Sequence, residues 1–138
     1  TGFEVQLSGY LTERWMLDAG YSWTDSTITG GSNDGRDTGQ VPANMISLWN
    51  RFSATDQLEL GLGLTYQDEF FVNSANAVTI PDYTRIDAAA IYTLDNGTIL
   101  QLNIENLLDE TYFPDAHSNT NISTGAPLNA RFTIRTRF

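Results

Sequence analysis

Apolar and polar side chains alternate along most of this chain with a period of two, and helical spacing is nearly absent. The clearest stretch is Gln57 to Asp68, where Leu58, Leu60, Leu62, Leu64 and Tyr66 alternate with Gln57, Glu59, Gly61, Gly63, Thr65 and Gln67. Successive side chains of a strand point to opposite sides, so the leucines line one face and the polar residues the other. The same two-faced pattern predicts strands over Phe3 to Leu11 (Phe3, Val5, Leu7 and Leu11 against Glu4, Gln6 and Ser8), Arg14 to Asp25, Asp82 to Leu94, and Thr98 to Leu108. It ends in Pro127 to Phe138, where Ala130, Phe132, Ile134, Thr136 and Phe138 oppose Asn129, Arg131, Thr133, Arg135 and Arg137. Ala43 to Ala54 is mixed; Ile46, Leu48 and Phe52 are assigned to its apolar side, against Met45 and Trp49.

The predicted connections alternate in length. Thr12-Glu13, Thr55-Asp56 and Asp95-Asn96-Gly97 are short, and the last is a tight-turn signal. Ser26 to Gln40, Glu69 to Pro81 and Asp109 to Ala126 are long, which places all long loops at one end of the strands. Charged residues within the strands, among them Asp18, Glu59, Arg85, Asp87, Glu105 and Arg131, keep to the side opposite the aliphatic one. A soluble sandwich also alternates, but it gives no reason for long and short connections to sort to opposite ends; a transmembrane barrel does. Aromatics near strand ends (Trp15, Tyr21, Trp23, Phe52, Tyr66, Tyr83, Tyr92, Phe138) fit interfacial girdles. The predicted fold is therefore all-β, an antiparallel transmembrane β-barrel segment of about seven strands; bacterial barrels close with an even number, from about eight upward, so the segment belongs to a larger barrel. Its aliphatic side would meet outer-membrane lipid. Its charged side would line a wet interior, where Arg131, Arg135 and Arg137 compensate the carboxylates.

Composition removes other classes. Seventeen acidic against 7 basic residues give a formal charge of −10, which argues against nucleic acid as a partner. There is no cysteine for disulfides or thiolate metal sites, and no apolar run approaches the ~20 residues of a membrane helix. Asn33, Asp34 and Asp37 lack the ordered ligand series of a calcium loop, so no metal is assigned there. The single histidine, His117, has no second imidazole or thiol beside it in a motif, so neither catalysis nor a cofactor is expected. Ligand contact belongs to the long loops: Phe70, Phe71, Tyr112, Phe113 and His117 could stack on an aromatic metal chelate, and Asn119 and Asn121 could donate hydrogen bonds. Phe70 and Tyr112 could instead anchor strand ends at the outer interface.

The run Gln101 to Phe113 (QLNIENLLDETYF), then Ala116 to Pro127 (AHSNTNISTGAP) and the terminal strand, resembles the end of a TonB-dependent outer-membrane receptor. Asn106 to Tyr112 resembles the general signature of that family, and His117 to Pro127 is closer to its receptors for catecholate-type ferric siderophores. Gly2 to Gly9, Trp15 to Ser22 and Ile80 to Asp87 are similar too. The chain departs from the pattern at Leu128, where Arg is usual after Gly-Ala-Pro, and at Thr136, where a larger apolar residue is common. The resemblance implies a C-terminal portion of a roughly 22-stranded barrel in the bacterial outer membrane. It also implies active import of a ferric siderophore, and contact with TonB through a plug domain outside these residues. The barrel-assembly machinery would read a terminal signal comprising Phe132, Ile134 and Phe138. On the residues alone, a diffusion porin segment and a soluble β-sandwich binding module remain open.

Overall fold

The computed structural model describes residues 1–136; Arg137 and Phe138, and with them the last aromatic of the predicted assembly signal, lie outside the described residues. Among the described residues eleven strands form: β1 (Gly2–Thr12), β2 (Trp15–Thr24), β3 (Asn44–Ser53), β4 (Leu58–Gln67), β5 (Phe70–Phe71), β6 (Thr79–Ile80), β7 (Tyr83–Thr93), β8 (Ile99–Glu105), β9 (Asp115–Ser118), β10 (Asn121–Ser123) and β11 (Asn129–Arg135). Seven of them make one antiparallel sheet in the order β1-β2-β3-β4-β7-β8-β11, each strand beside its chain neighbour once the short ones are set aside. The short strands form two hairpins, β5-β6 and β9-β10, at the end where the long connections lie.

The register assigns every side chain to a face. Leu58, Leu60, Leu62 and Leu64 stand opposite Tyr92, Ala90, Ala88 and Ile86 of β7, while Gly63 and Thr65 stand opposite Asp87 and Arg85. In β3 the mixed pattern resolves as expected: Ile46, Leu48 and Phe52 pair with Tyr66, Leu64 and Leu60, and Met45 and Trp49 fall on the charged face. Trp49 explains why β4 carries glycines there. A Cβ at Gly63 would lie 2.5 Å from the indole, and one at Gly61 would lie 2.7 Å from it, so the ring occupies space that side chains would fill.

Four expectations shift. The ladder slips between Tyr10 and Thr12, so Thr12 rather than Leu11 stands opposite Trp15; an extra residue in one strand changes the facing of the residues beyond it. Tyr83 lies opposite Gln67 on the charged face, stacked on Tyr112 rather than in a girdle. The sixth predicted strand stops at Glu105 because Asn106 takes a left-handed φ of 55°, which ends a ladder. Among the described residues, ion pairs on the charged face are made by Arg51 with Glu59 and by Arg85 with Asp87 and Glu105. Arg131 and Arg135 make none with the described residues; they stand on β11 at the sheet edge, opposite Asn103 and Ile99.

Asp95-Asn96-Gly97 closes β7 to β8 as a three-residue loop: the Gly97 N–H donates to Leu94 O at 2.8 Å and Gly97 sits at φ 79°. Among the described residues no second sheet covers the aliphatic face, and Leu7, Leu62 and Phe132 are exposed on it. A soluble sandwich requires such a layer. Aromatics band that face at both ends. Phe3, Tyr21, Trp23 and Tyr66 lie toward the loops, with Phe3 edge-on to Tyr21 at 5.6 Å; Trp15, Phe52 and Tyr92 lie toward the turns. Polar groups within the bands are satisfied locally, Trp15 Nε1 donating to Asn50 Oδ1 at 3.2 Å and Tyr92 Oη to Gln57 Oε1 at 2.9 Å.

Candidate functional site

The three long connections fold onto one another at one end of the sheet. Phe70, Val72, Ile80 and Ala116 are buried together, with Val78, Phe113 and Ile122 packed against them. This core joins the β5-β6 hairpin to the β9-β10 hairpin. Asn73 Nδ2 donates to Asn119 Oδ1 at 2.6 Å across the same junction. The first loop is tied in by polar bonds: Gln40 N to Phe71 O at 2.7 Å, Asp37 N to Asn76 Oδ1 at 2.9 Å and Arg36 Nη1 to Ala75 O at 3.0 Å. Between this loop and β5-β6 opens a concavity of about 420 Å³ whose lining includes Asp25, Asp37, Asp68, Glu69 and Phe71. Asp68 is not free to titrate as an ordinary carboxylate. Burial pushes it up, but hydrogen bonds to the carboxylate from Tyr66 Oη and from the side chain and backbone of Asn44 outweigh that and hold it below its usual value.

The base of the third loop is gripped from the charged face. Arg85 donates to Asp87 Oδ2 from Nε at 3.2 Å and from Nη2 at 2.9 Å, and from Nη1 to Glu105 Oε1 at 3.1 Å and Tyr112 Oη at 2.9 Å. Asp87 Oδ1 accepts the Asn106 N–H at 2.9 Å. Asn106 is fully buried: its Nδ2 donates to Glu110 O at 2.8 Å and Ala126 O at 3.0 Å, and its Oδ1 accepts the Glu110 N–H at 2.9 Å. One side chain therefore ties the outgoing and returning limbs of the loop together. Tyr112 lies flat against Gly125, where any Cβ would run into the ring, and stacks on Tyr83 at 4.6 Å. Asp109 Oδ1 caps the returning limb at the Leu128 N–H, 2.9 Å away.

The residues expected to contact ligand thus divide. Phe70 and Tyr112 are buried, Phe71 and Phe113 half-buried, and His117, Asn119 and Asn121 exposed on or beside β9-β10. Phe70 and Phe113 share the loop core, whereas Tyr112 belongs to the Arg85 network. Among the described residues no three His, Asp or Glu side chains converge in a way that would hold a metal ion. Sequence reasoning missed Asn106 and Gly125 as architectural residues. Both lie inside the family-like runs, Asn106 opening Asn-Leu-Leu-Asp and Gly125 opening Gly-Ala-Pro.

A family model for the TonB-dependent receptor-like β-barrel matches residues 1–107. The chain belongs to that family. The siderophore receptor PiuA of Acinetobacter baumannii is 34% identical over 131 residues, covering 86% of this chain and 18% of its own length. Its crystal structure superposes with a TM-score of 0.88, over 96% of this chain and 21% of that one, at 31% identity. The ferric-catecholate import receptor Fiu of Escherichia coli K12 superposes at 0.83 and 27% identity, over 96% of this chain and 20% of that one. A ferrioxamine receptor of Yersinia enterocolitica is 28% identical over 143 residues, 96% of this chain and 20% of its own length. The chain thus spans about a fifth of the length of these relatives. Set in a barrel of this family, the charged face lines the lumen and the aliphatic face looks outward.

Proposed function

We propose that this chain forms part of the wall and the external loops of an outer-membrane receptor that imports ferric siderophores in a TonB-dependent manner. The observation that carries the reading is the superposition on PiuA across 96% of the chain, in a sheet whose aliphatic side has no protein layer over it. In this reading the aliphatic face contacts lipid and the β11 strand, with Phe132 and Ile134, is presented to the barrel-assembly machinery. Energy coupling runs through a plug domain that contacts TonB, which these residues do not themselves supply.

The ligand is met by the loop cluster. His117, Asn119 and Asn121 offer exposed polar groups on one hairpin, and Phe71 edges the neighbouring concavity. Since the Oδ1 atom of Asn119 is occupied by Asn73, its amide nitrogen is the group left to donate to an anionic chelate. The test is uptake of radiolabelled iron by a strain whose other siderophore receptors are deleted, with the full receptor supplied on a plasmid, in the presence and absence of TonB. TonB-dependent accumulation is expected. Accumulation that persists without TonB would instead identify a diffusion pore.

A further inference from the structure

The loop from 106 to 128 is far longer than the few residues needed to join two antiparallel strands, and a free segment of that length would sample many conformations. It is instead fixed at its base by a buried asparagine, an aromatic ring laid on a glycine, and a guanidinium shared between two carboxylates and a phenol. Two of the residues doing the holding, Arg85 and Asp87, are not in the loop. They project from β7 into the lumen-facing side, and each has the bonding capacity of its charged group divided between the wall and the loop. Beyond the base, β9-β10 is held among the described residues by the β5-β6 region, through the shared apolar core and the Asn73–Asn119 bond.

We propose that Arg85 and Asp87 are positioning residues for ligand capture: from the lumen wall they grip Tyr112 and Asn106, and so set the attitude of the β9-β10 hairpin that presents His117, Asn119 and Asn121. The proposal rests on the receptor reading above. It makes residues remote from the ligand determinants of affinity, because a charge-assisted network releases its far end when one member is removed. It also ranks the variants. Tyr112→Phe keeps the ring on Tyr83 and Gly125 and loses only the bond to Arg85, whereas Tyr112→Ala and Arg85→Met abolish the Arg85–Tyr112 half of the grip and leave Asn106 held by Asp87 alone.

Residues 109–128 contain no Lys or Arg, so Thr120→Lys installs a trypsin site in the hairpin of the full receptor. Intact cells are treated with trypsin, and equilibrium binding is measured with the iron(III) complex of 2,3-dihydroxybenzoate and with a linear ferric tris-hydroxamate. Arg85→Met and Tyr112→Ala are expected to accelerate cleavage at 120 and to weaken binding about tenfold or more, with Tyr112→Phe intermediate. Receptor abundance and the heat-modifiable migration of the folded barrel should stay unchanged in Tyr112→Phe, which keeps the test valid if the larger truncations fail to assemble. Unchanged cleavage in all three variants overturns the proposal. So does faster cleavage with undiminished binding. An unaltered receptor that binds neither complex sinks the siderophore reading itself, and the capture role with it.

Discussion

Leu62, in the middle of β4, is 52% exposed, whereas Ile80, in the hairpin beyond the end of that strand, is 1% exposed. Both are aliphatic. The difference lies in what excludes water. The loop cluster builds a small core of its own from Phe70, Val72, Ile80 and Ala116, and it is the part of this segment that resembles an ordinary globular interior. The sheet has an aliphatic side over which the described residues lay no protein, and in the receptor reading proposed above acyl chains supply its apolar cover. In that reading the hydrophobic effect is satisfied within one short chain in two different surroundings, a protein core and a bilayer. Polar groups follow much the same division: in the loops they tie limb to limb, while on the sheet most keep to the charged face or the aromatic bands, and Asn50, opposite Leu17 and Leu62 on the aliphatic face, accepts from Trp15 Nε1.

The sharpest way to break this contrast is to place a charge on each face of the sheet. Leu62→Arg should nearly abolish assembled receptor, since a charge near the bilayer midplane costs about 2–4 kcal/mol. Ser47→Arg, opposite Gly20 and Thr65 on the lumen side, should assemble at close to normal yield. Equal yields, measured by heat-modifiable migration in membrane fractions, would mean that the faces are misassigned. Next in size is Ile80→Asp, which puts an unpaired carboxylate into the loop core. It should expose the loops to external protease while the barrel still assembles, which would separate the two regions experimentally.

A smaller effect is expected at the lumen wall. Gly63→Val should cost roughly 1–3 kcal/mol by displacing Trp49, seen as a lowered melting temperature, and Trp49→Ala should restore much of the loss in the double variant. The smallest effect belongs to Asp68. Its carboxyl is held below the usual 3.8, so its contribution to the loop end is present above that value and fades as pH falls through the depressed one. Asp68→Asn should lower protease resistance slightly at pH 7 and remove that portion of its acid dependence, so that variant and parent converge at low pH. An unaltered acid profile in the variant would show that the Tyr66 and Asn44 bonds carry no such linkage.

Much of the sheet was legible residue by residue. Alternation at Leu58 to Tyr66 is enforced by a geometric period of two, and no packing partner is needed to read it. The mixed β3 was assigned correctly, but what fixes it is tertiary: its register sets Phe52 opposite Leu60, and Trp49 lies over Gly61 and Gly63 on the other side. The loops were less legible. Phe70 and Tyr112 look alike as loop aromatics, yet one fills an apolar core and the other joins a charged network. Nothing local distinguishes them, because their partners lie in different connections of the chain. Tyr83 failed as a girdle residue for a different reason: it starts a strand like other band aromatics, but the parity it shares with Arg85 and Asp87, which the chain itself displays, places it on the charged face, where Tyr112 covers it.

What the sequence determined by itself is the two-faced sheet: side-chain direction in an extended backbone depends only on position along the chain, so the segregation of charge from aliphatic groups could be read directly. The end-to-end sorting of long and short connections was equally local, since turn residues act over a few positions. What the tertiary structure alone decided is how three separate loops become one body, and why Asn106 and Gly125 sit where they do. Asn106 stands 20 residues from Ala126, whose carbonyl it binds, and Gly125 supplies the bare backbone on which the Tyr112 ring rests. Contacts between segments distant in sequence, fixed by sterics and hydrogen-bond geometry at their meeting point, leave no periodic trace in the chain.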